Sequence, residues 1–500
     1  MSSPAANDPT RAEIHSRSAP GPRRLIPALG LFTTIMLVIG GVIGSGIFRK
    51  PGLMAAQLGS PELLLAVWIV GGIITLFGAL TNAEIAAMIP ETGGQFIFFQ
   101  RMYGSFVAFL YGWAAFIVIQ TGSISAVAYV FAEYATTFVP LPEAGPALSN
   151  WALHLPFIGD VTPFREFGVK LLAVAVIVFL TAVNYAGVKF GGWVQNIFTI
   201  AKVGAMLALV AAAFLTPEAG QARHLVQDAA AGTPQGWRLW VALAAALQGA
   251  FWAYDGWNKL PYIAGEVRNP QRNLPRALFL GMLFVMGIYV LMNVAYLYVL
   301  PIDAMAQSKL VAADVAEKCR PGAGRWIAVA VMLSTFGAAN AIILASARVY
   351  FSMAQHRVFP NALASVHPRF HTPGAALLAQ GIWGVLLLFS GTFDTLTDTL
   401  IFVGWIFYLA GAVGIFVLRR KEPHAARPFH VPGYPWVPAV FVLFALLFLT
   451  LTVVNDIAVY RAAVAQGRPA MINSAFGVML VFLGLPVYLF YRRRKGVTEP

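Results

Sequence analysis

The chain has 500 residues, of which 59% are hydrophobic and 11% are charged, and its formal net charge is +13. A soluble domain averages about 25% charged residues, and so few charges do not cover the surface of a soluble fold of this size. The single cysteine, Cys319, excludes a disulfide scaffold, and the 37 Phe, 16 Tyr and 12 Trp exclude a disordered chain. The composition predicts an all-α membrane protein.

Apolar runs recur along the chain at the length of membrane-spanning helices, about 20 residues. They predict twelve transmembrane helices, over residues 28–57, 62–89, 105–138, 167–187, 191–215, 238–265, 276–301, 325–353, 373–390, 396–418, 434–455 and 471–491. The polar stretch 1–25 precedes a run that is too long for a signal peptide, so we expect a cytoplasmic tail there.

The basic residues lie mostly at the ends of the apolar runs. This distribution indicates membrane orientation and no nucleic-acid partner. An even number of spans places both termini on one side, and more Lys and Arg fall on that side than on the other. The pattern predicts a lipid-embedded, multi-pass protein of the inner membrane with both termini cytoplasmic.

Two predicted spans contain residues that disfavour a continuous helix. The first carries Gly40, Gly41, Gly44 and Gly46 at its middle, and each Gly costs roughly 1 kcal/mol relative to Ala inside a helix. The sixth carries AYDGWN at 253–258, at a similar depth. Interrupted helices at the start of two five-helix halves are typical of inverted-repeat transporters. Close helix packing is the alternative role of the glycines.

The interruptions offer complementary backbone groups. A half-helix that begins near Ser45 and Gly46 presents free N–H groups and a positive dipole end, which suit a carboxylate. The half-helix that ends near Val42 presents carbonyls that suit an ammonium group, and carbonyls from Trp252 to Asp255 add to them. An amino acid carries both charged groups on one carbon and therefore fits both ends.

The residues at these interruptions resemble those of a known superfamily. GGVIGSGIF at 40–48 resembles the first-helix motif of the amino acid–polyamine–organocation superfamily. WAYDGWNKLPYIAGEVRNPQRNLPRA at 252–277 is similar to the sixth-helix signature of its L-type amino acid transporter branch. The resemblance implies a LeuT-like 5+5 inverted repeat of twelve helices, with helices 1 and 6 broken, and amino acid exchange or proton-linked uptake.

The resemblance also implies the organisation of the chain. Five segments follow from it, namely the N-terminal tail 1–25, a first repeat at 26–216, a second repeat at 237–419, accessory helices at 434–492 and a cytoplasmic C-terminal tail at 493–500.

Roles for single residues come from the same resemblance. Gly44, Ser45 and Gly46 match positions that bind the substrate carboxylate, and Val42 and Ile43 match positions whose carbonyls accept hydrogen bonds from the ammonium group. The substrate-binding residues implied in the sixth span are Trp252, Ala253, Tyr254, Asp255 and Asn258, and Trp252 also matches an aromatic gate.

Asp255 keeps two interpretations. It attracts a cationic side chain or the α-ammonium group of the substrate, or it caps the second half of helix 6. The position is Gly in large-neutral members and Asp in the cystine/dibasic exchangers, which implies neutral and, in addition, cationic substrates.

Three further charged residues receive roles, Lys202 from the resemblance and the other two from their positions in the predicted spans. Lys202 matches a helix-5 lysine of sodium-independent bacterial relatives, where it replaces sodium structurally or carries a coupled proton. Glu266 and Arg348 fall at cytoplasmic helix ends, and they form an inner gate or are ordinary interface charges.

Enzyme, metal and ATP-binding motifs are absent from the sequence, so we expect no cofactor and no catalytic activity. Segment 139–166 lacks the cysteine by which animal members bind a heavy chain, so no disulfide-linked heavy chain is expected. The sequence predicts a sodium-independent exchanger of L-amino acids. A proton-coupled symporter is the alternative, and an amino acid sensor or a channel is the alternative of another class.

Overall fold

A computed structural model describes residues 27–155, 159–226, 233–308, 310–390, 393–466 and 471–495. The predicted tail 1–25 and positions 496–500 lie outside these ranges. The first part of the fold comprises α1 (Leu31–Val42), α2 (Gly46–Leu58), α3 (Pro61–Met88), α4 (Gln95–Tyr103), α5 (Ser105–Ala114), a π-helical turn (Ala115–Ile119), α6 (Gln120–Ala135), α7 (Pro146–Ser149), β1 (Leu153–Leu155), β2 (Gly159–Val161), α8 (Phe167–Tyr185) and α9 (Val188–Leu215).

The second part begins after a short 3₁₀ turn at Ala222–Val226. It comprises α10 (Trp237–Tyr254), a 3₁₀ segment (Trp257–Glu266), α11 (Pro270–Val299), α12 (Ile302–Gln307), α13 (Val311–Cys319), α14 (Gly324–Gln355), a 3₁₀ turn (Asn361–Ala364), α15 (Gly374–Leu388), α16 (Phe393–Lys421), α17 (Trp436–Ala465), α18 (Asn473–Phe482) and α19 (Gly484–Lys495).

Ten helical stretches within the described ranges are long and apolar enough to cross a membrane. They identify a multi-pass membrane protein. Two of the twelve predicted runs contain shorter helices. The helical part of the sixth run, α10, has 18 residues because the chain leaves the helical conformation at Asp255, and α15 has 15 residues.

A small hairpin departs from the all-α prediction. β1 and β2 pair antiparallel, with Leu153 opposite Val161. The hairpin lies in the predicted loop 139–166, outside the long apolar helices. The outer backbone groups of a two-stranded ribbon need water as a partner, and an open sheet edge is not tolerated in hydrocarbon, so we expect the hairpin to lie outside the membrane.

Local residue chemistry sets the turn between α2 and α3. Gly59 closes α2 in the left-handed conformation, with φ of 62°. The Ser60 hydroxyl then accepts a hydrogen bond from the Leu63 N–H at 3.2 Å, and Pro61 occupies the first turn of α3. The chain therefore reverses sharply, and α2 and α3 lie in contact.

Both predicted interruptions are present. α1 ends at Val42, Ile43 is extended, and α2 begins at Gly46. α10 ends at Tyr254, and the following Trp257–Glu266 segment is a 3₁₀ helix with Pro261 inside it.

The two interruptions lie side by side in the protein interior. α1 packs against α9, α11 and α14, whereas α10 packs against α2 and α3. Gly256 has φ of 126°, and a Cβ atom there would lie 2.5 Å from the Gly41 carbonyl oxygen. Only glycine permits this approach of one backbone to the other.

Candidate functional site

A cavity of about 20 Å³ lies between the two interruptions. Twelve residues line it, namely Gly41, Val42, Gly44, Ser45, Gly46, Ser123, Val127, Trp252, Asp255, Lys259, Ala338 and Ile342. A cavity of this size holds about one water molecule. The arrangement is therefore closed, and a larger ligand enters only when the surrounding helices move.

Six of the ten predicted substrate-binding residues line this cavity, namely Val42, Gly44, Ser45, Gly46, Trp252 and Asp255. The other four, Ile43, Ala253, Tyr254 and Asn258, are absent from its lining. Tyr254 instead donates a hydrogen bond to the Trp68 carbonyl at 3.0 Å, and Asn258 donates to the Tyr262 hydroxyl at 3.1 Å. These two side chains thus bind neighbouring groups of the protein outside the cavity lining.

The start of α2 forms the polar end of the cavity. Ser45 is 1% exposed, and its hydroxyl has no hydrogen-bond partner among the described residues. No side chain caps α2. An uncapped helix N-terminus beside a buried unpaired hydroxyl is an arrangement that a carboxylate group satisfies.

The glycines of the first span serve two roles, close helix packing and interruption of the helix. A Cβ atom at Gly40 would lie 2.0 Å from Gln195, and one at Gly46 would lie 2.4 Å from the Ala253 Cα atom, so both positions require close packing. A Cβ atom at Gly44 would lie 3.6 Å from Ala338, an ordinary contact. Gly44 belongs to the interruption itself.

Lys202 binds backbone carbonyls of the first interruption and of α14. Its ammonium group is fully buried and donates to the carbonyls of Gly40 at 2.8 Å, Ile43 at 2.5 Å and Ser334 at 3.2 Å. Lys202 therefore links the fifth span to the first and the eighth. The Ile43 carbonyl, which the sequence assigns to a substrate ammonium group, is bound by Lys202 instead.

Tyr289 on α11 connects the two interruptions. Its hydroxyl lies 3.2 Å from the Val42 carbonyl and 3.0 Å from the Ala253 carbonyl. Since these carbonyls end the first halves of both interrupted helices, one hydroxyl group serves both ends.

The carboxylate of Asp255 binds two side chains. Lys259 donates to Oδ2 at 2.8 Å, and the Tyr408 hydroxyl donates to Oδ1 at 2.6 Å. Both donors are side chains, and no backbone N–H of the 3₁₀ segment, which begins at Trp257, donates to this carboxylate among the described hydrogen bonds. The sequence analysis did not select Lys259 as a site residue. It lies four residues after Asp255, a spacing at which oppositely charged side chains form ion pairs.

Glu266 and Arg348 form a buried ion pair toward the amino-terminal face, at which α1 begins and the 3₁₀ segment ends. Arg348 donates to Glu266 at 2.8 and 3.4 Å, and each side chain is 1% exposed. The Glu266 carbonyl accepts hydrogen bonds from the N–H groups of Ala28 and Leu29, both at 2.9 Å. The segment before α1 is thereby fastened to the end of the 3₁₀ segment.

A wider cavity of about 510 Å³ lies on the opposite face, at which α2 and α6 end. Arg49, Lys50 and Glu133 line it, and Arg49 forms an ion pair with Glu133. This cavity is far larger than the one between the interruptions.

Four lining residues came from spans that carry no motif. Ser123 and Val127 lie on α6, one turn after the π-helical turn, and Ala338 and Ile342 lie on α14. Each pair is spaced by four residues, which places both members on one helix face. That spacing identifies a face, but many faces of these helices have small or aliphatic residues, so the sequence does not select this one.

Comparison with known proteins gives a consistent result. The family model described as amino acid permease matches residues 29–482. The serine/threonine exchanger SteT of Bacillus subtilis is 30% identical over 472 residues, which cover 94% of this chain and 97% of that protein. The human b(0,+)-type amino acid transporter 1 is 30% identical over 428 residues, 85% of this chain and 82% of that protein. The human large neutral amino acids transporter small subunit 2 is 32% identical over 461 residues, 92% of this chain and 79% of that protein.

Proposed function

The chain belongs to the amino acid permease family, a family of transporters and not of enzymes, and on that premise we propose that it exchanges L-amino acids across the cytoplasmic membrane by alternating access. One observation carries the proposal, which is that two interrupted helices meet at a closed cavity inside a multi-pass protein. Unpaired backbone at that depth is expected only where it faces protein, water or a ligand. The relative named as an exchanger, SteT, supports exchange as the mode.

We also propose a LeuT-like fold of twelve helices. The halves 26–216 and 237–419 each begin with an interrupted helix, as an inverted repeat requires. The shorter helices α10 and α15 complete two five-helix halves, and the accessory region contains two spans, α17 and the stretch formed by α18 and α19.

The substrate carboxylate would bind the N-terminus of α2 at Gly44 and Gly46 and the hydroxyl of Ser45. This hydroxyl is buried and has no partner among the described residues, which supports its assignment to the ligand. The substrate ammonium group would bind carbonyls at Val42 and at the end of α10. Trp252 lines the cavity from that end and would close over the bound substrate.

Sodium independence rests on Lys202. Its ammonium group already binds carbonyls of α1 and α14, oxygen ligands of the kind that a sodium ion would use. A protein-borne cation there removes the need for a bound metal ion. The same lysine supports a second candidate, proton-coupled symport, because its three hydrogen-bond acceptors are neutral carbonyls and no carboxylate is among them.

The amino-terminal face is proposed to be cytoplasmic. Arg419, Arg420 and Lys421 end α16 on this side, as expected for cytoplasmic helix ends. Glu266 and Arg348 would then be the inner gate, closed in this structure. The inner membrane is the proposed location.

The proposed transporter works in lipid without a heavy chain. The loop 139–166 has no cysteine, and Cys319, on α13, is the single cysteine of the chain. A disulfide-linked partner would therefore need a site other than that loop.

The test is uptake of labelled L-serine and L-leucine into proteoliposomes that contain the purified protein. Vesicles are either empty or preloaded with the same unlabelled amino acid. We expect saturable uptake in preloaded vesicles only, with equal rates in sodium chloride and in choline chloride. Protein-free vesicles are the control.

Other outcomes identify the alternatives. Accumulation in empty vesicles under an inward proton gradient would replace exchange by symport. Saturable binding without flux would indicate a sensor, and flux without saturation would indicate a channel. Absence of both binding and flux for every amino acid would refute the proposed function.

A further inference from the structure

A second charge, that of Lys259, lies inside the cavity of the proposed transport site. Its side chain is 7% exposed and lines the cavity together with Asp255. The two side chains form an ion pair at 2.8 Å, and the second carboxylate oxygen accepts a hydrogen bond from Tyr408. The protein itself therefore engages both oxygens of the one carboxylate that lines this cavity.

We propose that the Lys259–Asp255 pair sets the substrate class, so that the site accepts L-amino acids with neutral side chains and rejects those with cationic side chains. This inference rests on the proposed function. A lone Asp255 would offer a buried negative charge to the side chain of arginine or lysine. Paired with Lys259, it contributes no net charge to the cavity.

Electrostatics inside a small cavity strengthens this selection. A cationic side chain that reached Asp255 would lie next to the Lys259 ammonium group, and like charges repel strongly where the effective dielectric constant is low. To bind, it would have to displace Lys259, which would leave that ammonium group without its partner. An acidic side chain meets the corresponding difficulty at Asp255.

The wider cavity on the opposite face also disfavours cationic ligands. Two cations, Arg49 and Lys50, and one carboxylate, Glu133, line the wider cavity there. Glu133 is paired with Arg49. Positive charge therefore exceeds negative charge among the residues that line this cavity, and a positive field lowers the local concentration of cationic ligands.

The cavity walls agree with a neutral side chain. Besides the pair, the lining from α6 and α14 consists of Ser123, Val127, Ala338 and Ile342, which are small or aliphatic. None of these four carries a charge that would compensate a charged substrate.

The experiment measures competition for labelled L-serine exchange by unlabelled L-arginine and L-glutamate in proteoliposomes. In the wild-type protein we expect arginine to compete at least 100-fold more weakly than serine. The variant Lys259→Gln removes the cation and leaves Asp255 charged, so arginine should compete at least tenfold better than in the wild type. The double variant Asp255→Asn with Lys259→Gln has no charge and should reject arginine again.

Lys318→Gln is the matched control, because Lys318 is an exposed lysine on α13 outside both cavities, and it should keep the wild-type pattern. Asp255→Asn provides a second test if Lys259→Gln fails to fold. It leaves Lys259 without a counter-ion, so glutamate should compete better than in the wild type.

The outcomes separate the two proposals. Wild-type protein that exchanges arginine as well as serine would overturn this inference and leave the proposed function intact. So would a Lys259→Gln variant, or failing that an Asp255→Asn variant, that exchanges serine with unchanged competition by charged amino acids. Wild-type protein that exchanges no amino acid would instead refute the proposed function.

Discussion

Replacing Lys202 by Met tests whether its ammonium group holds the first interruption in place. Met keeps most of the side-chain volume and removes the three hydrogen bonds to Gly40, Ile43 and Ser334. Ile43 keeps the Ser334 hydroxyl as a donor at 3.3 Å, and the Ser334 carbonyl lies within a helix, so the Gly40 carbonyl suffers the largest loss.

The expected loss follows from these contacts. An orphaned buried acceptor costs roughly 1–3 kcal/mol, and two weakened acceptors bring the total to about 2–5 kcal/mol. At 1.4 kcal/mol for each factor of ten, the closed arrangement becomes about 30- to 4,000-fold less populated.

The assay is L-serine exchange in proteoliposomes, together with L-serine binding in detergent. Lys202→Met should lose at least 30-fold in exchange rate, about the lower end of that range. Lys318→Met, a change of the same type on the exposed side of α13, should stay at the wild-type rate. Exchange by a monodisperse Lys202→Met protein within threefold of the wild type would refute the structural role.

Three further predictions concern the gate, the glycines and the surface. Glu266→Gln leaves the Arg348 guanidinium buried without its anion, which should cost about 3–5 kcal/mol of unfolding free energy; a double-mutant cycle with Arg348→Met measures the coupling, and a coupling below about 1 kcal/mol would contradict the buried pair. Gly46→Ala places a Cβ atom 2.4 Å from the Ala253 Cα atom, so this variant should aggregate in gel filtration while Gly44→Ala stays monodisperse, and equal behaviour would count against the close packing. Arg101 donates to Glu422 at 2.8 and 2.6 Å, and this hydrogen-bonded pairing lowers the pKa of Glu422. A lowered pKa in the folded state stabilises the fold above the usual carboxyl pKa, and this contribution disappears as the pH falls. Arg101→Gln should therefore reduce the melting temperature slightly at pH 7, by an amount equivalent to at most about 1 kcal/mol because the pair is exposed, and an equal reduction at pH 3 would contradict the assignment.

The sequence predicts the parts of the site that depend on residue chemistry along one segment. The interruption at 43–45 follows from its glycines, because backbone without a regular helix is what such a segment favours. The contact of Lys202 with α1 follows from the resemblance, and the pairing of Glu266 with Arg348 follows from their positions at helix ends, since a buried charge needs a partner.

The parts that depend on the direction of a group in space are not predictable in this way. The Ile43 carbonyl turns away from the cavity toward Lys202, which depends on one backbone dihedral angle. The pairing of Asp255 with Lys259 spans the interruption, with Asp255 extended and Lys259 inside the 3₁₀ segment, so it does not follow from the geometry of one regular helix. Ser123 lines the cavity through the packing of α6, which no local pattern specifies.

Tyr289 belongs to neither interrupted helix, yet its hydroxyl group lies within hydrogen-bonding distance of a terminal carbonyl of each. Movement of either half-helix alone breaks one of these contacts inside a dry interior, where the lost partner is not replaced by water. In mechanical terms, the two interruptions act as one joint and not as two independent hinges. A ligand that binds the amide groups of one half-helix and displaces it is therefore expected to displace the other as well. Half-open forms are therefore expected to be scarce, which would limit leak of substrate down its gradient in the proposed exchanger.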